Sequence, residues 1–157
     1  MKKTVASSTL LQKDGGATLK QAVEIAIESV VDGEKTLHRL QGELYRQGEH
    51  AFLRYAETDP SLGRTTTTMK YSAEEIRIIR HGEIEAEQTY VAGRRLRGTY
   101  RTGQGDLALE NHTHRIRTDK HDTEERIFWS YDVYIEDDRI GTYDLTVTIR
   151  TVGQTEA

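Results

Sequence analysis

One arginine, one glutamine and one tyrosine occupy alternating positions where a β-strand hairpin would turn their side chains inward. Arg80, Gln88 and Tyr90 share this predicted face with Ile78 and Ala86. A guanidinium group binds carboxylates and phosphates through paired hydrogen bonds, and the amide and the phenol both donate and accept. The spacing therefore indicates recognition of a small polar or anionic molecule.

The same alternation on other strands adds polar side chains and apolar walls to this inner face. The further predicted lining residues are His38, Thr65, Thr67, Met69, Tyr71, Trp129, Tyr131 and Tyr143. A buried polar group without a partner costs about 1 to 3 kcal/mol, so something must satisfy these groups. Three interpretations stay open: a ligand cavity, a water-filled or internally hydrogen-bonded barrel, and a catalytic pocket.

Arg80 itself has two interpretations. The inner face offers it no carboxylate of matching alternation, and an unpaired buried guanidinium is strongly unfavourable, so an anionic ligand group would complete it. Alternatively, Arg80 lies at or beside a turn, and its guanidinium reaches solvent at the rim.

Metal and enzyme chemistry find little support in the sequence. His112 and His114 have a His-x-His spacing that can hold zinc, but their alternation is opposite to that of Leu107 and Leu109, which places them outside. No nucleophile with a base, carboxylate pair or glycine-rich phosphate loop occurs at a useful spacing. We therefore predict a non-enzymatic protein without a metal or cofactor.

Composition narrows the possible partners. The 157 residues fit one domain, and the net charge of -4 is interspersed, which argues against nucleic acid as a partner. The absence of cysteine excludes disulfides and thiolate chemistry. No apolar run approaches the roughly 20 residues of a membrane span, so we expect no membrane partner and a cytoplasmic, bacterial-type protein.

We expect β-strands to position these side chains, because apolar residues recur at every second position over residues 20–152. We expect residues 1–19 to be a disordered tail and residues 153–157 to be a short carboxyl-terminal tail. Asp32-Gly33 predicts a two-residue type I′ turn that pairs Ile27 with His38. Gly42 indicates a kink or bulge in the following strand.

The hairpin that carries Arg80 is predicted to have a three-residue loop. A loop of either Arg80–Gly82 or His81–Glu83 keeps the inward-facing residues of both strands on one face. A two-residue loop would turn the inward-facing side chains of one strand to the outside. The Arg80–Gly82 version is preferred because it places Gly82 in the left-handed position and Arg77 opposite Glu85.

About ten consecutive strands with short links favour an antiparallel meander. Such a meander removes its edges most simply by closing into an up-and-down barrel, with an open sandwich as the alternative. The fold class is therefore predicted to be all-β.

Several short motifs keep their order and spacing over this whole domain. They are Gly42, Arg80-x-Gly82-x-Ile84, Gln88-x-Tyr90-Val91-x-Gly93, Arg126-Ile127, Tyr131-Asp132-Val133 and Thr146-Val147-Thr148. In these motifs the chain resembles the YwiB-like family of small bacterial proteins, a domain of unknown function with a calycin-like (lipocalin-like) β-barrel. The resemblance runs from about Lys20 to Val152. It implies a calycin-like barrel with a hollow interior, and it supplies no reaction, ligand or catalytic residue.

These observations predict that the barrel interior binds a small amphipathic or anionic molecule. Its polar head would lie near Arg80, Gln88 and Tyr90. Its apolar part would lie against Met69, Trp129 and Tyr143. The competing interpretation is a protein-interaction or structural module with a filled or water-filled interior, in which the outer strands or a homodimer face do the work.

Overall fold

A computed structural model describes residues 10–13 and 16–152, which form twelve strands. These are β1 (Leu10–Lys13), β2 (Gly16–Leu19), β3 (Gln21–Val31), β4 (Glu34–Gln47), β5 (His50–Ala56), β6 (Thr65–Tyr71), β7 (Glu75–Gly82), β8 (Glu85–Val91), β9 (Arg95–Thr102), β10 (Gly105–His121), β11 (Glu124–Ile135) and β12 (Asp138–Thr151). A short 3-10 helix, Pro60–Leu62, lies between β5 and β6. Within these ranges no helix is long and apolar enough to cross a bilayer.

The ten strands β3 to β12 form a closed barrel in which each strand pairs antiparallel with the next. The circle closes where β12 pairs with β3. The predicted all-β, up-and-down barrel of about ten strands is therefore confirmed. Within the segment expected to be a tail, β1 and β2 form a separate two-stranded sheet. Residues 1–9 and the predicted tail 153–157 lie outside the described residues.

Alternation along the strands builds the core. In β6, for example, Thr65, Thr67, Met69 and Tyr71 are all buried, and the residues between them are partly exposed. The apolar members of such sets join one core cluster that reaches from β3 to β12. Burying each large apolar side chain contributes roughly 1.5 to 3 kcal/mol, so this cluster drives closure of the barrel.

The first predicted turn is confirmed. Asp32 and Gly33 both have positive φ, at 49° and 89°, as a type I′ turn requires, and Ile27 pairs with His38. Gly42 is not at a bulge, because the β3–β4 register runs through it without a shift. A Cβ atom there would lie 2.5 Å from the carbonyl oxygen of Arg54, so the close approach of β5 requires glycine.

Both predicted loops for the Arg80 hairpin are wrong. Arg80 pairs with Ala86, which centres the loop on Glu83, further along the chain than either prediction placed it. The cause is a tertiary contact, since the Glu83 amide donates to the Arg64 carbonyl oxygen at 3.0 Å. The loop length is still odd, so the predicted inward face is correct, and Arg80 belongs to the paired strand.

Two neighbouring pairs of strands meet over only a few residues. β4 pairs with β5 over Glu43–Gln47 alone, so residues Glu34–Gly42 pair only with β3; this segment is called the β4 overhang. β8 pairs with β9 only over Glu85–Glu87. Beyond that pairing, the buried Asn111 side chain donates from Nδ2 to the Thr89 carbonyl oxygen at 3.1 Å. The amide thus replaces missing ladder hydrogen bonds in the barrel wall.

Candidate functional site

Most of the predicted lining residues meet inside the barrel, towards the end that carries the β5–β6 loop. The group called the Arg80 cluster consists of Tyr55, Glu57, Thr67, Arg80, Gln88, Tyr90 and Tyr131. Five strands and one loop contribute to it, and all members except Arg80 and Glu57 are buried. The cluster therefore exists only after the barrel has closed.

Arg80 has a carboxylate neighbour, contrary to the sequence prediction. Its Nε lies 3.6 Å from Oε2 of Glu57, and the two side chains are 25% and 9% exposed. The same oxygen accepts a hydrogen bond from Oγ1 of Thr67 at 2.5 Å. Glu57 lies beyond the end of β5, where the sequence predicts a connection, but it continues the inward alternation of Leu53 and Tyr55.

The charge of Arg80 is compensated, but its hydrogen bonding is not. Nε of Arg80 is buried and has no hydrogen-bond partner among the residues that the structure describes. A buried donor in this state costs about 1 to 3 kcal/mol. Arg80 is thus inside the barrel wall, not in the turn, and it retains the capacity to donate to an anion.

Two tyrosines beside Arg80 are held in their neutral form. Burial raises the pKa of Tyr90 to about 12 and raises the pKa of Tyr131 well above its usual value. The Tyr90 hydroxyl donates to Oε1 of Gln88 at 3.3 Å. At neutral pH these groups act as hydrogen-bond donors and acceptors, and neither is a ready nucleophile.

Aromatic rings continue the cluster across the barrel. The Tyr90 ring centroid lies 4.6 Å from that of Tyr131 and 5.8 Å from that of Trp129. Tyr143 stacks on Tyr131 with centroids 5.3 Å apart and planes 6° from parallel. Nε1 of Trp129 is buried without a hydrogen-bond partner among the described residues. Four of the predicted aromatic residues therefore form one contiguous wall.

His38 is an exception, and its predicted inward position is wrong. Its pairing with Ile27 is as expected, but the side chain is exposed. The reason is that β5 does not pair with β4 beside His38, so no strand covers the side chain there.

Tyr71 and Met69 are buried as predicted, but Tyr71 belongs to the opposite end of the barrel. Burial raises the pKa of Tyr71, and the neighbouring Glu125 carboxylate raises it further. There Nη2 of Arg46 donates to Oε1 of Glu125 at 2.5 Å. This group, called the Arg46 cluster, comprises Arg46, Tyr71 and Glu125.

The His-x-His pair lies on the outside. The rings of His112 and His114 are 5.0 Å apart, and Nε2 of His114 is 3.2 Å from Oδ2 of Asp132. They share a face because they are two residues apart on β10, and the register shift between Thr113 and Arg115 leaves His114 without a paired residue on β11. No group of three or more potential metal ligands occurs in the described part of the chain.

The barrel centre is packed where the resemblance implied a hollow. Inward side chains such as Leu53, Ile76 and Ile127 have no exposed surface. One cavity of about 470 Å³ lies at β7–β10; Arg80 is among its lining residues, most of which face outward. A second, of about 280 Å³, opens beside the Arg46 cluster. Two more, of about 300 and 490 Å³, are lined mainly by outward-facing residues of β3, β4 and β10–β12.

Fold and site together define a closed, ten-stranded antiparallel barrel with an arginine–glutamate pair among buried tyrosines. The chain belongs to the family described as "Domain of unknown function (DUF1934)", whose model matches residues 22–147. It is 27% identical over 130 residues to the "Uncharacterized beta-barrel protein YwiB" of Bacillus subtilis strain 168, covering 80% of this chain and 91% of that protein. The crystal structure of the ywiB protein from Bacillus subtilis superposes with a TM-score of 0.74 at 25% identity, covering 84% of this chain and 92% of that chain. The family resemblance predicted from the sequence is confirmed.

Proposed function

We propose that the barrel binds a small anionic or amphipathic molecule whose charged group is held by Arg80. The observation that carries this proposal is the buried Nε of Arg80, which has no hydrogen-bond partner in the described structure. A carboxylate or phosphate oxygen accepts from a guanidinium with good geometry, and such charge-assisted bonds are roughly twice as strong as neutral ones. Binding would therefore remove an unsatisfied donor from the barrel wall.

The surroundings of Arg80 favour an amphipathic ligand. Gln88 and Tyr90 already bond to each other and supply further polar contacts. The apolar part would pack on Trp129 and Tyr143, and Tyr143 is the less buried of these two rings. The cavity of about 470 Å³ at β7–β10 has a volume typical of small-molecule sites, which are roughly 300 to 1,000 Å³. Arg80 lines this cavity, whereas Trp129 and Tyr143 lie behind it in the barrel interior. Because the centre is packed, a ligand would enter from this side by displacing side chains.

The test uses Trp129, the only tryptophan of the chain, as the reporter. The probe is anilinonaphthalene sulfonate, which combines an anionic group with aromatic rings. We expect it to quench Trp129 emission through energy transfer in the native protein. Arg80→Ala should weaken this binding by roughly tenfold or more, because a charged hydrogen bond contributes about 1.5 to 3 kcal/mol.

Arg77→Ala is the matched control. Nε of Arg77 also lacks a hydrogen-bond partner, but this arginine bonds Glu87 through Nη2 on the outer face and does not face the barrel interior. Thermal melting of each variant separates lost binding from lost folding. Equal affinity in the native protein and a folded Arg80→Ala variant would overturn the proposal. Native mass spectrometry of the purified protein gives a second reading, because a co-purified mass that is lost on denaturation identifies the ligand class.

A protein-interaction module is the second candidate, and the packed centre of the barrel favours it. Leu53, Ile76 and Ile127 leave no solvent-exposed surface inside. In that case the outer surface would carry the function. A native mass equal to the bare chain, alone or in copies, together with no probe binding, would support this candidate.

A further inference from the structure

Thr67 and Arg80 present two hydrogen-bond donors to one region inside the barrel. The two residues are directly opposite each other on β6 and β7, so their side chains share the inner face. Thr67 is fully buried, and its Oγ1 donates to a carboxylate oxygen at 2.5 Å. Nε of Arg80 lies 3.6 Å from that same oxygen. A hydroxyl and a guanidinium placed in this way suit the two oxygens of one carboxylate.

The carboxylate in this position belongs to Glu57, and it satisfies only one of the two donors. Oε2 of Glu57 accepts from Thr67, whereas Nε of Arg80 has no hydrogen-bond partner in the described structure. The Glu57 amide donates to the Thr65 carbonyl oxygen at 2.8 Å, which fixes its backbone beside β6. A carboxylate on a separate molecule has no such restraint and can approach both donors.

Charge makes Glu57 and an acidic ligand mutually exclusive. Among the described residues, Glu57 is the only one whose carboxylate lies within 4.0 Å of a nitrogen of Arg80. It therefore compensates the arginine in the ligand-free chain. A second carboxylate on the same two donors would be repelled by the first, because like charges a few ångströms apart disfavour each other in a partly buried site.

We propose that Glu57 is an intramolecular competitor, which a carboxylic acid ligand displaces from Thr67 and Arg80. This inference rests on the proposed function and adds to it the acid group of the ligand and a residue that opposes binding. Glu57 begins the segment 57–64 between β5 and β6, in which Thr58, Pro60 and Ser61 are exposed. The displaced side chain can therefore turn towards water without crossing the core.

Chemical rescue tests whether the two donors bind a free carboxylate. Glu57→Ala removes the competing group and leaves its space beside Arg80. Sodium acetate should then raise the melting temperature of this variant by several degrees and in a saturable manner, because it binds the folded state. Acetamide has the same shape without the charge and should give no such rise, and neither should sodium chloride at equal ionic strength. The native chain and the Glu57→Ala/Arg80→Ala double variant should not respond specifically to acetate.

Probe binding tests the competition in the intact barrel. Glu57→Gln keeps the shape of the side chain and removes its charge, so anilinonaphthalene sulfonate should bind roughly tenfold more tightly than to the native chain. Glu83→Gln is the matched control. It removes the same charge from the next loop at this end of the barrel, where Glu83 accepts from the Arg64 amide and does not contact Arg80.

The outcomes separate this inference from the proposed function. Arg80→Ala that binds the probe as tightly as the native chain overturns both. Weaker binding to Arg80→Ala, without tighter binding to Glu57→Gln, overturns the competition alone. Equal effects of acetate and acetamide on Glu57→Ala would show that the two donors do not select a carboxylate. Because rescue is read from melting itself, it can be measured even when a variant is unstable.

Discussion

The two ends of the barrel each hold an arginine, a glutamate and a buried tyrosine, but the pairs differ in geometry. Arg46 and Glu125 are 43% and 12% exposed and bond directly at 2.5 Å. Arg80 and Glu57 are 25% and 9% exposed, and their closest atoms are 3.6 Å apart. The first pair is complete and partly solvated. The second compensates charge without satisfying the buried Nε. At the Arg46 end the buried atom without a partner is instead the Tyr71 hydroxyl, so of the two ends only the Arg80 end offers an unsatisfied guanidinium donor.

The physical cause lies in what else each carboxylate binds. Oε2 of Glu57 already accepts from Thr67, whose strand neighbours that of Arg80. Glu125 instead extends from the end of β11 and meets an arginine with greater access to water. A solvated pair gains little from its attraction, whereas a buried donor without a partner retains its full penalty. Three perturbations can test this contrast.

Alkaline pH should produce the largest effect. It should be larger at the Arg80 cluster, where burial raises the pKa of three tyrosines, than at the Arg46 cluster, where it raises the pKa of Tyr71. Tyr90 has a folded-state pKa of about 12 against an ordinary value of 10.0, so above about pH 10 the unfolded chain loses its proton first. Stability present below that pH is then lost as pH rises towards 12, by up to about 3 kcal/mol for this group. Urea unfolding at about pH 9 and about pH 11 measures the loss.

Tyr90→Phe should reduce that pH dependence, because phenylalanine has no proton to lose. Burial raises the pKa of Tyr55, Tyr71 and Tyr131 as well, so part of the slope should remain. An unchanged slope in Tyr90→Phe would show that burial of this hydroxyl does not control the alkaline transition.

Removal of Glu57 should have the next largest effect. Glu57→Ala leaves the mostly buried Arg80 without its carboxylate and Thr67 without its acceptor. We expect a loss of about 2 to 3 kcal/mol in the free energy of unfolding, below the range for fully buried pairs because Arg80 is partly exposed. Chemical denaturation at neutral pH measures it. Arg80→Ala in the same background should recover part of the loss, since the uncompensated charge is then removed.

Removal of Glu125 should have the smallest effect. Arg46 has access to solvent, so Glu125→Ala should cost at most about 1 kcal/mol, and added salt should reduce the difference from the native chain. The same denaturation series with and without salt measures both quantities. A loss as large as that of Glu57→Ala would remove the distinction between the two ends.

Alternation and turn chemistry made most of the fold predictable. Period two along β6 correctly placed Thr65, Thr67, Met69 and Tyr71 on the inside, because side chains of a strand alternate regardless of its neighbours. The Asp32-Gly33 turn fixed the β3–β4 register for a similarly local reason.

The errors arose where distant segments meet. His38 has the predicted register, yet it is exposed because β5 does not extend along the β4 overhang. The loop after Arg80 is displaced by a bond from Glu83 to the backbone of Arg64. Neither contact leaves a trace in the spacing of nearby residues.

The sequence by itself determined the all-β class, the closed meander and the inward direction of Arg80, Gln88 and Tyr90, since these depend on periodicity and on turns of two or three residues. Only the tertiary structure decided that Glu57 faces Arg80, that Tyr71 lies at the other end and that the centre is packed. Those properties depend on how far each strand extends beside its neighbours. Strand overlap follows from the packing of the whole barrel, which alternation along one strand does not encode.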